Sequence, residues 1–183
     1  MAQDIDTNFI VFILYPLFYF ILYSPVNLVE RDDAEKLRQV LSSGISSEYN
    51  DQYLSRCLYI AAGAGRLECT RVLLDAGASP DLHTDTNGQT PLVVAVRCGS
   101  PDVAAALIAA SSNVNKATRV ARATALHWAA SDGSNGCVRL LLDAGAKLEA
   151  RMASGRTALM LAARGGHEDV LLHLIKSGMI ELL

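Results

Sequence analysis

Between Thr124 and Ala146 the apolar positions form two short runs, Ala125-Leu126-His127-Trp128-Ala129-Ala130 and Val138-Arg139-Leu140-Leu141-Leu142. A glycine follows each run, Gly133 after the first and Gly145 after the second. Apolar residues three and four apart predict two amphipathic helices joined by a chain reversal. The pattern repeats. Shifted back by 34 residues it falls on Thr90-Pro91-Leu92 and Leu107-Ile108, and shifted forward by 33 on Thr157-Ala158-Leu159-Met160-Leu161-Ala162-Ala163 and Leu174-Ile175. Gly65, Gly99, Gly133 and Gly166 recur at intervals of 34, 34 and 33, each where a left-handed residue lets the chain turn without a Cβ penalty. Cys69, Val103, Cys137 and Val170, with Leu73, Leu107, Leu141 and Leu174, form one recurring apolar face of the second helices. The pairs Ala61-Ala62, Ala129-Ala130 and Ala162-Ala163 let neighbouring first helices approach closely. One such unit cannot bury its own face, but stacked units can, so the period predicts an all-α repeat solenoid.

Five units follow in order, about 24–50, 51–84, 85–118, 119–151 and 152–183. The opening one is degenerate. Ser24-Pro25-Val26-Asn27-Leu28-Val29-Glu30 has the hydroxyl cap and first-position proline of Thr90-Pro91-Leu92, and a second helix is expected over Ala34 to Leu41. Asp75-Ala76-Gly77-Ala78 returns as Asp143-Ala144-Gly145-Ala146, 68 residues on.

These motifs resemble the ankyrin repeat family. Its pattern is a β-turn, Thr-Pro-Leu-His, two alanines, a Gly-His stop, an apolar second helix, then Gly-Ala and Val-Asn. Thr90-Pro91-Leu92, Thr124-Ala125-Leu126-His127, Gly166-His167, Gly145-Ala146 and Val114-Asn115 match it, and the resemblance covers about 24–183. It implies helix-turn-helix units with β-hairpin loops, and structural roles for Thr90, Thr124, His127 and Thr157. Three departures carry expectations. Arg122 stands at a turn glycine, which predicts a hairpin that is distorted or occupied differently, and Ser111 replaces the glycine after Ala109-Ala110. Arg56 replaces the capping threonine, which leaves its helix end without a hydroxyl acceptor. The chain ends Met179-Ile180-Glu181-Leu182-Leu183 without a polar capping helix, as expected of a truncated stack or of an end that docks onto something.

The leader, residues 1–23, is a separate unit. Phe9 to Tyr23 is a run of fifteen residues with no charge, broken by Pro16, and it holds all four phenylalanines. As a helix it would span roughly 22 Å, short of the roughly 30 Å hydrocarbon core. A short membrane anchor, a hydrophobic cap on the first repeat and an atypical amino terminus all fit it. If it spans, Arg31, Lys36 and Arg38 follow it and no basic residue precedes it, which keeps the repeats cytosolic.

Composition narrows the function. With 51% hydrophobic and 19% charged residues the chain is globular, and a net charge of -3 argues against a nucleic-acid partner. Cysteines 57, 69, 98 and 137 form no C-x-x-C pair and follow the repeat, so they read as packed thiols in a reducing compartment. No metal-ligand spacing, phosphate loop or nucleophile motif occurs; Gly63-Ala64-Gly65 follows a helix and lacks the third glycine. His127 occupies the repeat's own histidine position, and no nucleophile–base–orienter set assembles around it. The expectation is a non-enzyme with no metal, cofactor or small-molecule substrate.

Ankyrin-like arrays bind through hairpin tips and the concave face of the first helices. The resemblance points to Asn87, Gln89, Arg122 and Arg156 at the tips and to Arg97, Asp132 and Arg164 on the helix face. Val120 and Ala121 accompany them. Arg119 lies along the same side, and Trp128 reads as inter-repeat core or, by an exposed edge, as an interface anchor. The arginines suggest a basic strip for an acidic segment of a protein partner, since a guanidinium fork pairs a carboxylate with two bonds. The implied function is a non-catalytic adaptor or scaffold in the cytoplasm. The alternatives are a membrane-tethered ankyrin protein anchored by 9–23, or a regulatory fragment of a longer enzyme, channel or ubiquitin-ligase adaptor.

Overall fold

The structure, a computed structural model, describes residues 24–42, 51–82 and 86–180, the side chains of 179 and 180 excepted. The hydrophobic run 9–23 and His83 therefore lie outside the described residues. Ten helices are described: α1 (Pro25–Glu30), α2 (Ala34–Ser42), α3 (Asp51–Gly63), α4 (Leu67–Asp75), α5 (Pro91–Arg97), α6 (Pro101–Ala109), α7 (Ala125–Ser131), α8 (Asn135–Asp143), α9 (Ala158–Gly165) and α10 (Glu168–Ile180). Consecutive pairs form the five units. First helices pack in the order α1, α3, α5, α7, α9, and second helices in the order α2, α4, α6, α8, α10. This is an ankyrin-type all-helical stack. Among the described residues no helix is long and apolar enough to cross a membrane.

Local sequence explains the helix ends. Pro25 and Pro91 take the first helical position, where no intrahelical N–H bond is lost. The side chain of Thr90 accepts from the Val93 amide at 3.3 Å, and that of Thr157 from the Met160 amide at 3.5 Å. The core then runs unbroken along the stack. Leu37, Leu73, Leu107, Leu141 and Leu174 are buried in the second helices, and Leu58, Leu92 and Leu126 in the first. Ala61, Ala62, Ala129, Ala130 and Ala162 are fully buried where the first helices meet.

Three expectations are corrected or refined. The turn at Arg122 is not distorted. Arg122 takes a left-handed conformation (φ 51°), as Gly88 and Gly155 do in the equivalent turns (φ 71° and 78°), and Ser111 does the same at φ 64°. Each position bears the strain of a Cβ in that region and keeps the turn. Arg56 does not sit at a helix start, because α3 begins at Asp51 and carries it mid-helix. In the last unit α10 continues through Gly178 to Ile180, whereas α4, α6 and α8 stop after nine residues. Asp32 (φ 59°) supplies the reversal after α1 that glycine supplies later.

The loops are turns tied across units by single backbone bonds. The Arg119 amide donates to the Asn87 carbonyl at 2.8 Å, and Ala153 donates to Ala121 at 2.8 Å. On the second-helix side, the Asp81 carboxylate accepts the Asn113 amide at 2.9 Å. Asn115 accepts the Lys147 amide at 2.8 Å and donates to the Gly145 carbonyl at 3.0 Å.

His127 is the most constrained polar residue of the core. It is 1% exposed. Its Nδ1 accepts the Thr124 amide at 3.1 Å, so the ring proton sits on Nε2 and is donated to the Ala150 carbonyl at 3.0 Å. One ring thus caps α7 and clasps the following unit. Burial lowers its pKa below 6.5, against the raising effect of the Ala150 and Arg156 carbonyls. A histidine with a depressed folded pKa binds its proton more readily in the unfolded chain. Its contribution to stability is therefore full above the unfolded value and is lost as pH falls through the folded one. Urea denaturation between about pH 7.5 and 5 is expected to show this loss, with a smaller acid decline in His127→Gln. Equal declines in the two proteins would remove the role given to the ring.

Three of the four cysteines pack as expected, and Cys98, at the end of α5, does not. All four are free; Cys57, Cys69 and Cys137 are buried and Cys98 is exposed. Burial pushes the Cys57 thiol up to about 12, and burial with the nearby Asp32 carboxylate pushes Cys69 up to about 11.

Candidate functional site

The site lies where the third and fourth units present their turns and first helices. The turn before α5 carries Asn87 and Gln89, and the last residue of α5 is Arg97. Thr118, Val120 and Ala121 come from the next turn, and Trp128 from the middle of α7. These seven line one cleft of about 330 Å³. The cleft holds its shape because its two turns are bonded to each other. Gly88 is needed there: at φ 71° it stands so close to Arg119 that an added Cβ would lie 2.7 Å from Arg119 Cγ.

Arg97 and Trp128 form the floor. The guanidinium carbon lies 4.6 Å from the indole ring centroid, a cation–π contact, and one N–H donates to Gln89 Oε1 at 2.6 Å. Stacking on one side and a hydrogen bond on another leave a long side chain little rotamer freedom. Among the described residues no hydrogen bond other than that to Gln89 takes a guanidinium N–H of Arg97, and Arg97 is solvent-exposed. Trp128 is half-buried, and its Nε1 is buried without a partner among the described residues. Val120, 73% exposed, sets an apolar rim beside this charge. None of the seven lining residues is acidic.

The structure thus brings Asn87, Gln89, Arg97 and Trp128 together, with Val120 and Ala121 between them. Arg119 adjoins the cleft through its amide bond to Asn87 and its stem over Gly88. Arg122, Arg156 and Arg164 are exposed but do not line it, and Asp132 is exposed at the end of α7. Arg151 is turned to its own loop, donating to the Gly155 carbonyl at 3.2 Å. Arg97, Arg122, Arg156 and Arg164 form no ion pair with a described residue. Sequence reasoning missed the stack of Arg97 on Trp128. The signal was present, since the two occupy the end of one first helix and the middle of the next, but only the stacking geometry makes them neighbours. It also missed the exposure of the last unit, where Leu159, Met160, Leu172 and Ile175 are 37–54% exposed.

Chemically the cleft offers hydrogen-bond donors, one stacked cation and an apolar edge, the makings of a binding surface. Among the described residues no group of three His, Cys, Asp or Glu is placed to hold a metal.

Comparison with known proteins agrees with this architecture. A family model described as ankyrin repeats (3 copies) matches residues 27–119 and again 111–182. Human neurogenic locus notch homolog protein 4 is 43% identical over 104 residues, covering 56% of this chain and 5% of that protein. A transient receptor potential cation channel subfamily A member 1 homolog of Caenorhabditis elegans is 32% identical over 120 residues, covering 66% of this chain and 10% of that protein. A putative ankyrin repeat-containing protein of Treponema pallidum is 39% identical over 111 residues, covering 61% of this chain and 37% of that protein. The chain therefore spans well under half the length of these relatives, and the likeness is to their repeats. Stacked helix pairs at the recurring period, the threonine and histidine caps, and a family match along nearly all of 24–183 make this chain a member of the ankyrin repeat family.

Proposed function

We propose that this protein is a non-catalytic adaptor or scaffold that holds a protein partner on its turns and first-helix face. Ankyrin repeats are protein–protein interaction modules. The observation that carries the reading is the cleft of Asn87, Gln89, Arg97, Thr118, Val120, Ala121 and Trp128, in which donors and a stacked cation are gathered with no carboxylate. Exposed Arg122 and Arg156 on the neighbouring turns extend the positive surface, which favours an acidic segment of the partner. Four free thiols, three of them buried, support placing the repeats in the cytosol.

Double replacement of Arg122 and Arg156 by glutamate tests the strip. Both side chains are exposed, so the helical circular-dichroism signal is expected to stay within a few per cent while capture of a partner falls at least about tenfold. Unchanged capture with an intact helical signal would overturn the basic-strip reading.

A further inference from the structure

We propose that the Arg97–Trp128 cleft is a receptor for one acidic side chain and the apolar side chain two residues after it in an extended segment of the partner. This rests on the adaptor reading and specifies its ligand.

Three observations define the ligand. The first is charge. A cleft with a cation, two amide side chains and no acid among its described lining residues favours an anion over a cation. The second is preorganisation. Gln89 takes one Arg97 N–H at 2.6 Å and the indole face backs the guanidinium at 4.6 Å, so its plane is set before a ligand arrives. The N–H groups left over belong to a planar fork whose spacing matches the two oxygens of a carboxylate. Fixing the side chain in advance lowers the ordering cost of binding.

The third is size and polarity. About 330 Å³ is at the small end of ligand sites, room for one or two side chains rather than a folded surface. Its rim at Val120 and Ala121 is apolar, and Val120 is 73% exposed beside the polar floor. Successive side chains of an extended chain point to opposite sides, so a carboxylate seated on Arg97 brings the residue two further on to this rim, where a leucine or valine side chain removes apolar surface from water. Glutamate reaches the fork with less backbone approach than aspartate, so glutamate and leucine separated by one residue are the pair that fits.

Trp128 is the chain's one tryptophan, so its fluorescence reads the cleft directly in the full-length protein. The probes are N-acetylated, C-amidated peptides Gly-Ser-Glu-Ser-Leu-Gly, called Glu-Leu after its two reading residues, and its Gln-Leu, Glu-Ser and Lys-Leu counterparts. Glu-Leu is expected to bind at least about tenfold tighter than Gln-Leu or Lys-Leu, and several-fold tighter than Glu-Ser. Arg97→Gln is expected to erase the preference for Glu over Gln, and Arg97→Lys to keep only part of it. Competition by inorganic phosphate at concentrations equal to the Glu-Leu peptide, equal binding of Glu-Leu and Gln-Leu, an unchanged preference in Arg97→Gln, or no binding by any of the four would each overturn the proposal. The two levels separate cleanly. If Arg97→Gln leaves partner capture intact while Arg122→Glu with Arg156→Glu abolishes it, the adaptor reading stands and this cleft is not its receptor.

Discussion

Leu126→Ala is expected to lower the free energy of unfolding by about 2–5 kcal/mol, and Leu159→Ala by less than half as much. The two leucines occupy the same repeat position, 33 residues apart. Leu126 is 1% exposed, enclosed between neighbouring units, so truncating it removes buried methyl groups and leaves a cavity. Leu159 is 37% exposed on the last first-helix, where water already reaches the side chain and no enclosed void forms. Urea denaturation followed by circular dichroism measures both. Equal costs would mean that the face of the fifth unit is covered in solution, contrary to the exposure of Leu159, Met160, Leu172 and Ile175.

Gly133→Ala is expected to be the more damaging of two matched glycine replacements, costing about 1–2 kcal/mol more than Gly99→Ala. Both glycines are left-handed, at φ 71° and 68°, so both bear the strain of placing a Cβ there, about 1–2 kcal/mol. Their surroundings differ. A Cβ at Gly99 would meet nothing within 4 Å, whereas one at Gly133 would lie 2.5 Å from His167 Nδ1. The imidazole would have to swing away, and its Nε2 now donates to the Ser131 carbonyl at 2.9 Å, tying α10 to the end of α7. Adding His167→Ala should cancel the excess, because the obstacle and the bond leave together. An excess that survives in the double variant would show that the ring is not the cause.

Much of this molecule was legible from one period. Gly65, Gly99, Gly133 and Gly166 marked the reversals, and all four are left-handed at φ 68–71°. The Thr90 and Thr157 caps and the buried pairs Ala61-Ala62 and Ala129-Ala130 also follow from local chemistry, while in the last unit Ala162 is buried and Ala163 exposed. Where a residue departed from the repeat, the physics had two outcomes. At Arg122 and Ser111 the turn geometry, held by neighbours, overrode residue preference and imposed a left-handed arginine and serine. At Arg56 nothing stops a helix, so α3 grew backward to Asp51. The candidate site was legible as a list of positions and not as a cleft. Asn87, Gln89, Arg97 and Trp128 are named by the repeat, but their convergence depends on how far one unit rotates over the next. Arg122, Arg156, Arg164 and Asp132 carry the same positional signal and stand outside it.

Packing of each helix type on its neighbours alone makes stability a profile along the chain instead of one number. The end units each have a single neighbour among the described helices, while the second, third and fourth have two. Opening of the described stack therefore begins at its ends and moves inward, and the slowest amides to exchange with solvent belong to the inner units, α5 and α7 among them. The Arg97–Trp128 contact bridges those two helices. A ligand seated there closes over the part of the molecule that opens last, so frayed ends leave its grip intact.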